Sequence, residues 1–166
     1  MRAPVSTVQV TRLTSASATQ VWRTFADLKA RARVFSNVDR VEVLTSEPFG
    51  VGVRWREHRD LRDQRLVEEL RVVSADPPYS CVVESHGDGA DYRVRYEFTP
   101  HKRGARLRVH FEAAARGRTG RLLATFFGWI AIQVVEGALR QELDDLAHAA
   151  EAAERLPIQQ APKLRG

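Results

Sequence analysis

YRVRYEFTPHKRGARLRVHFEAA, residues 92–114, carries the clearest structural signal in the chain. Tyr92, Val94, Tyr96 and Phe98 alternate with Arg93, Arg95 and Glu97. Leu107, Val109 and Phe111 then alternate with Arg106, Arg108 and His110. Period-two alternation marks strands with one face in a core and the other in water. The turn residues between them, His101 to Gly104, make a connection so short that the two strands must be antiparallel neighbours. Directly afterwards, from about Thr119 to Leu156, no proline intervenes and apolar residues recur at helical spacing. A half-buried sheet followed by one long helix is the expected end of the fold.

The same pattern runs upstream. Residues 5 to 13 alternate as a first strand. Ser17 with Gln20 is a capping-box signature, and Val21, Trp22, Phe25 and Leu28 follow at helical spacing. A second short helix is expected through about Phe35. Further strands are expected at Val38 to Leu44, Val51 to Leu61, Arg65 to Ser74 and Tyr79 to Ser85. Pro48 with Gly50, Arg62-Asp63, Asp76-Pro77-Pro78 and Gly87-Asp88-Gly89 supply the turns. The order predicts an α+β fold. A seven-stranded, curved antiparallel sheet should wrap one long C-terminal helix, with two short helices after the first strand. Such a sheet leaves a cavity, and a cavity suits a small hydrophobic ligand.

Size and charge narrow the function classes. At 166 residues the chain fits one domain, read here as residues 1–156 with a polar flexible tail over 157–166. The single cysteine, Cys81, rules out an internal disulfide. MRAPVSTVQV lacks the apolar stretch of a signal peptide, and no run reaches the ~18 residues of a membrane span. A cytoplasmic protein is expected. The net charge of +5, from 26 basic and 21 acidic residues, arises largely from arginines alternating along strands. That is the wet face of a sheet rather than a nucleic-acid footprint, so no nucleic-acid partner is expected. No nucleophile elbow, phosphate loop, dinucleotide glycine set or metal-ligand spacing occurs, and neither a cofactor nor a metal is expected. The histidines at 58, 86, 101, 110 and 148 are scattered, and each reads as a surface residue.

The hairpin of the third and fourth strands gives the sharpest local inference. With Arg62-Asp63 as a two-residue turn, Val53 faces Val72, Trp55 faces Leu70 and Glu57 faces Glu68, while Arg56 meets Glu69 on the other side. The apolar pairs define the inner face, so two carboxylates oppose each other there. Opposed Cβ atoms lie about 5 Å apart, where two full charges repel by roughly 3 kcal/mol at an effective dielectric of about 20. Either one carboxyl keeps its proton, or Arg59, inward by the same alternation, bridges them. Glu57, Glu68 and Arg59 are thus the candidate catalytic or anchoring groups. Trp55, Leu70, Tyr92, Tyr96, Phe98, Phe111 and Val135 are the candidate ligand-lining residues, the tyrosines foremost because a buried hydroxyl needs a partner.

Projected at 100° per residue, the second half of the last helix puts Arg140, Asp144, Ala147, His148 and Glu151 on a wet stripe. Val135, Ala138, Leu139, Leu146, Ala149 and Ala153 lie opposite, with Glu142 among them. In the first half, Leu122, Phe126, Trp129 and Ile130 fall on the solvent side and need cover. Covering loops, a homodimer partner and a membrane surface all remain open. Lys102, Arg103, Arg116, Arg118 and Arg121 would suit an anionic surface.

Ala16-Ser17-Ala18-Thr19-Gln20-Val21-Trp22, Gly52-Val53-Arg54-Trp55-Arg56-Glu57, Glu68 with Asp76-Pro77-Pro78, and Glu142-Leu143 carry a family likeness. Over roughly residues 5 to 153 the chain resembles the START/SRPBCC superfamily, which includes polyketide cyclase/dehydrase, lipid-transfer and birch-pollen-allergen branches. Ser17 stands where relatives often have proline, and Asp63 where a glycine is common. The resemblance implies the helix-grip fold. It also implies one of three functions: binding a lipid, isoprenoid or polyketide-like molecule, cyclase/aromatase-type acid/base catalysis, or an interaction module.

Overall fold

The structure, a computed structural model, describes residues 5–61, 64–86, 90–115 and 117–159, with side chains over 6–60, 65–86, 90–115 and 132–156. β1 (Val5–Thr14) leads into α1 (Ala18–Ala26) and the single-turn α2 (Arg31–Val34). β2 (Val38–Val43), β3 (Arg54–Leu61), β4 (Gln64–Asp76), β5 (Ser80–His86), β6 (Ala90–His101) and β7 (Gly104–Ala115) follow, and α3 (Gly117–Gln159) closes the chain. The strands form one antiparallel sheet in the order β1-β7-β6-β5-β4-β3-β2, so β1 and β2 are its edges. The expected seven-stranded α+β helix-grip architecture is what the chain adopts.

Register follows the alternation. Trp55 pairs with Leu70, Arg56 with Glu69 and Glu57 with Glu68; Val94 pairs with Phe111 and Tyr96 with Val109. The Arg62-Asp63 and Gly87-Asp88-Gly89 turns lie outside the described residues, although Leu61 and Gln64 pair on either side of the first. A register shift between Val72 and Ser74 marks a bulge in β4, a device that bends a strand and curves the sheet.

Most boundaries fall within two residues of the sequence reading, and two differ by three. β3 begins at Arg54 rather than Val51, because Gly52 adopts φ +93°, a left-handed conformation that favours glycine, and turns the chain before the ladder starts. α3 continues to Gln159, past Pro157 and into the segment expected as tail.

The buried stripe of α3 is also rotated from the expected one. Leu139, Glu142, Leu143, Leu146, Ala147 and Ala150 are buried, so Ala147 belongs to the core and not to the wet stripe. The flanking acids clamp the helix to the sheet edge. Asp144 pairs with Arg12 at 2.6 Å, and Glu151 accepts from Thr14 Oγ1 at 2.7 Å and from the Ser15 amide at 3.0 Å. Ser17 caps α1 by accepting from the Gln20 amide, but Gln20 does not complete the box. Glu154 of α3 takes the Ser17 amide instead, so the start of α1 is docked on the last helix. The side chains of Leu122, Phe126, Trp129 and Ile130 lie outside the described residues. Among the described residues no helix is long and apolar enough to cross a membrane.

Gly104 opens β7 where the end of β1 passes closest. A Cβ there would stand 1.9 Å from the Thr14 carbonyl oxygen. Gly104→Ala is therefore expected to cost about 3 kcal/mol, read as a lower urea midpoint with unchanged slope. A loss below about 0.5 kcal/mol would show that the two segments part freely.

Candidate functional site

The concave face is divided in two. At one end Phe25 packs against Phe98 (ring centres 5.4 Å), Phe49 (5.7 Å) and Tyr96 (4.7 Å), with Trp22 alongside. Phe98, expected to line the cavity, is fully buried among these rings. Toward the start of β6 and the end of β7 a cavity of about 80 Å³ stays open between sheet and α3. That is room for two or three waters at about 30 Å³ each. Leu70, Tyr92, Val94, Phe111 and Leu139 form its apolar wall. Arg59, Glu68, Tyr96 and Glu142 form its polar wall, and Trp55 and Arg31 close the floor. Val135 packs against the core outside this wall.

Beneath the cavity lies a cluster of charges taken out of water. Glu57, fully buried, accepts from Arg31 Nε at 2.6 Å and Trp55 Nε1 at 2.7 Å on one oxygen, and from Arg59 Nε at 2.8 Å on the other. Trp55 reaches it because residues two apart on a strand share a face. Arg59 continues to Glu142, with Nη1 at 3.3 Å from Oε2, and the Tyr96 hydroxyl donates to Glu142 Oε1 at 2.8 Å. Glu142, which the helical projection places in the apolar stripe, thus joins the inner polar cluster. Glu68 stands apart: among the described residues its one contact with a cation is Arg59 Nε at 3.8 Å.

Arg31 escaped the sequence reading. It is 2 % exposed and lies in α2, too short to display a period, with its guanidinium carbon 4.5 Å from the ring centre of Phe35. The usable signal was its spacing: Leu28 three residues before and Phe35 four after, both apolar and buried, put position 31 on an inward helical face.

Electrostatics separates the two opposed carboxyls. Burial alone would push Glu57 up, but Arg31 and Arg59 overcome it and hold the carboxyl at about 2. Its charge therefore contributes stability that is present above the unfolded value of 4.5 and lost as the pH falls toward 2. Burial also pushes Glu68 up; Arg59 draws it back, and Glu57 and Glu142 add to the rise, so the net shift is upward. Tyr96 is raised well above its ordinary value by burial and by Glu142, and stays a donor. Cys81, buried in β5, is pushed up to about 12 by burial and is a small core residue rather than a nucleophile. Among the described residues no group of acidic, histidine or cysteine side chains could hold a metal ion.

Residues 6–151 match the family described as "Polyketide cyclase / dehydrase and lipid transport". No curated protein matches the chain in sequence. Among solved structures, the Zhui aromatase/cyclase from Streptomyces sp. R1128 aligns with a TM-score of 0.76 at 17 % identity, covering 93 % of this chain and 98 % of that one. TTHA0849 from Thermus thermophilus gives 0.73 at 20 %, covering 89 % and 99 %. A START superfamily protein from Mycobacterium smegmatis gives 0.73 at 14 %, covering 89 % and 98 %. Identities this low establish likeness of fold.

Two outcomes follow from the cluster. Arg31→Leu leaves the buried Glu57 with only Arg59 and Trp55 and should destabilise the protein by about 3 kcal/mol, part of which Arg31→Leu with Glu57→Gln restores; denaturant unfolding of the cycle checks it. Glu68 behaves oppositely. The folded state holds its proton more tightly than the unfolded chain, so stability declines as pH rises from 4.5 through the folded pKa. Glu68→Gln is accordingly expected to raise Tm at neutral pH and leave it unchanged near about pH 4. A lower Tm at neutral pH would contradict the assignment.

Proposed function

The chain belongs to the polyketide cyclase/dehydrase and lipid-transport family of the START/SRPBCC superfamily, and from that premise we propose that it binds a small hydrophobic molecule between its sheet and α3. The observation that carries this reading is the cavity itself. The interior is packed with aromatic rings at one end and left open at the other, with apolar walls and a polar floor. Ligand sites combine those features: mostly apolar surface and a few placed polar groups. At about 80 Å³ the unliganded space is smaller than a single ring needs, since a cavity near 150 Å³ accommodates benzene. Entry therefore requires part of the wall to yield. Tyr92 and Phe111, half-buried and stacked at 5.5 Å at the open end, are the side chains with room to do so.

Proton transfer on a carbonyl-rich substrate, of the cyclase/aromatase kind, is the second reading. One observation favours it: the Glu68 carboxyl lines the cavity with a raised pKa, as a general acid or base operating nearer neutrality requires. Glu57 drops out of that chemistry, because it is sealed from the cavity and held ionised. Likeness to a protein named as an aromatase/cyclase supports this reading at the level of class.

Toluene serves as a probe. Titrated into the protein and followed by methyl NMR, it is expected to shift Leu70, Val94 and Leu139 together and saturably. Leu139→Trp, which fills the space, should abolish the shifts while the protein stays folded. Shifts scattered over the surface, or none, would overturn the binding reading.

A further inference from the structure

The guanidinium charges of the buried cluster are already engaged. Arg31 directs Nε to Glu57 and Nη1 to the Phe25 carbonyl, and packs its guanidinium among the Phe35, Phe25 and Trp55 rings. Arg59 directs Nε and Nη2 to Glu57 and Nη1 to Glu142. The Trp55 indole and the Tyr96 hydroxyl are bonded to Glu57 and Glu142. Two guanidinium charges are thus met by two carboxylates, and Glu68 is the carboxyl left over.

Its position sharpens the point. The Glu68 side chain is only 19 % exposed, and 3.8 Å from Arg59 Nε is beyond hydrogen-bonding range. Among the described residues no donor is bonded to it. It faces the cavity beside Leu70, Tyr92 and Phe111. A carboxyl held largely out of water with no donor bonded to it gains from whatever enters the cavity with an N–H or O–H. An anionic head finds the reverse: Glu68 and Glu142 repel it, and both guanidinium charges already face carboxylates.

Resting on the binding reading above, we infer that the ligand of this site carries a hydrogen-bond-donating head, an alcohol, phenol or protonated amine on an apolar body, which meets Glu68, and that the site rejects carboxylates, phosphates and sulfates. Glu68 is the specificity-determining residue. Arg31, Glu57, Arg59 and Glu142 form the scaffold that leaves it unsatisfied. A protonated amine gains most, because a charge-assisted bond in a half-dry site is the stronger kind.

Four single-ring probes test this at neutral pH: toluene, phenol, benzylamine and benzoate, each titrated by calorimetry or methyl NMR. On the wild-type protein benzylamine and phenol should bind at least tenfold tighter than benzoate. Glu68→Gln should weaken benzylamine tenfold or more, leave toluene within twofold, and narrow the gap to benzoate. If toluene binds and benzoate equals or beats benzylamine, the inference is overturned while the cavity stands. If Glu68→Gln leaves benzylamine unchanged, the inference is overturned likewise. If no probe binds, toluene included, the binding reading falls and takes the inference with it. The ranking on the wild-type protein needs no variant, so a poorly folding substitution would not spare the inference.

Discussion

Two guanidinium groups lie buried beneath the concave face of this sheet, and neither can be deprotonated to escape the cost of being there. Moving one such charge out of water costs several kcal/mol even after the protein relaxes. Each therefore has to be met by carboxylates at close range and with good geometry, and this requirement organises everything around it. Glu57 takes donors from Arg31, Trp55 and Arg59 at once. Glu142 takes Arg59 and Tyr96. Removing any one charged partner strands another, so the cluster behaves as a unit with respect to stability.

The same contacts explain why the sheet and the last helix do not close on each other. Arg31 ties α2 to β3, Arg59 ties β3 to α3, and Tyr96 ties β6 to α3. These are long side chains in fixed hydrogen-bonding geometry, and together they hold the helix at a set height over that part of the sheet. At the other end aromatic rings pack against one another. From the outside, Asp144 and Glu151 pin α3 to the β1 end, and Asp145 receives the Ser36 amide and hydroxyl. With the helix fastened along both flanks and propped within, the space near Glu68 survives as a property of the scaffold.

Most of the scaffold was legible in the chain because alternation reports directly on strand faces. The Glu57–Glu68 opposition came from the register of one hairpin, and β3 failed only at Gly52, where a left-handed residue broke the pattern. Helical faces were harder. The stripe of α3 was misplaced until Leu143 and Ala147 were counted inward, since alanine carries too little signal to orient a helix by itself. The charge cluster was legible only in half. Arg59 and Glu68 sit on strands whose alternation exposes them, whereas Arg31 occupies a helix of one turn and reaches Glu57 across 26 positions of sequence. No local pattern encodes a contact of that kind; it follows from where α2 lands.

What distinguishes members of so widely shared an architecture must then be sought in the cavity wall, because a fold at this level of identity carries no ligand with it. In this chain the wall contains one group that the scaffold does not need. Glu57 and Glu142 balance the arginines, and their loss would expose uncompensated charge. Glu68 is the weaker partner: it approaches Arg59 at 3.8 Å, while Glu57 and Glu142 hold that guanidinium more closely, and burial raises the cost of its charge. A residue whose ionisation works against the folded state, and which faces a space between sheet and helix, is separable from the fold in a way its neighbours are not. The two opposed carboxyls a strand apart thus stand in different relations to stability, so substitution at Glu68 can alter the cavity wall while Glu57 keeps the sheet and helix in place.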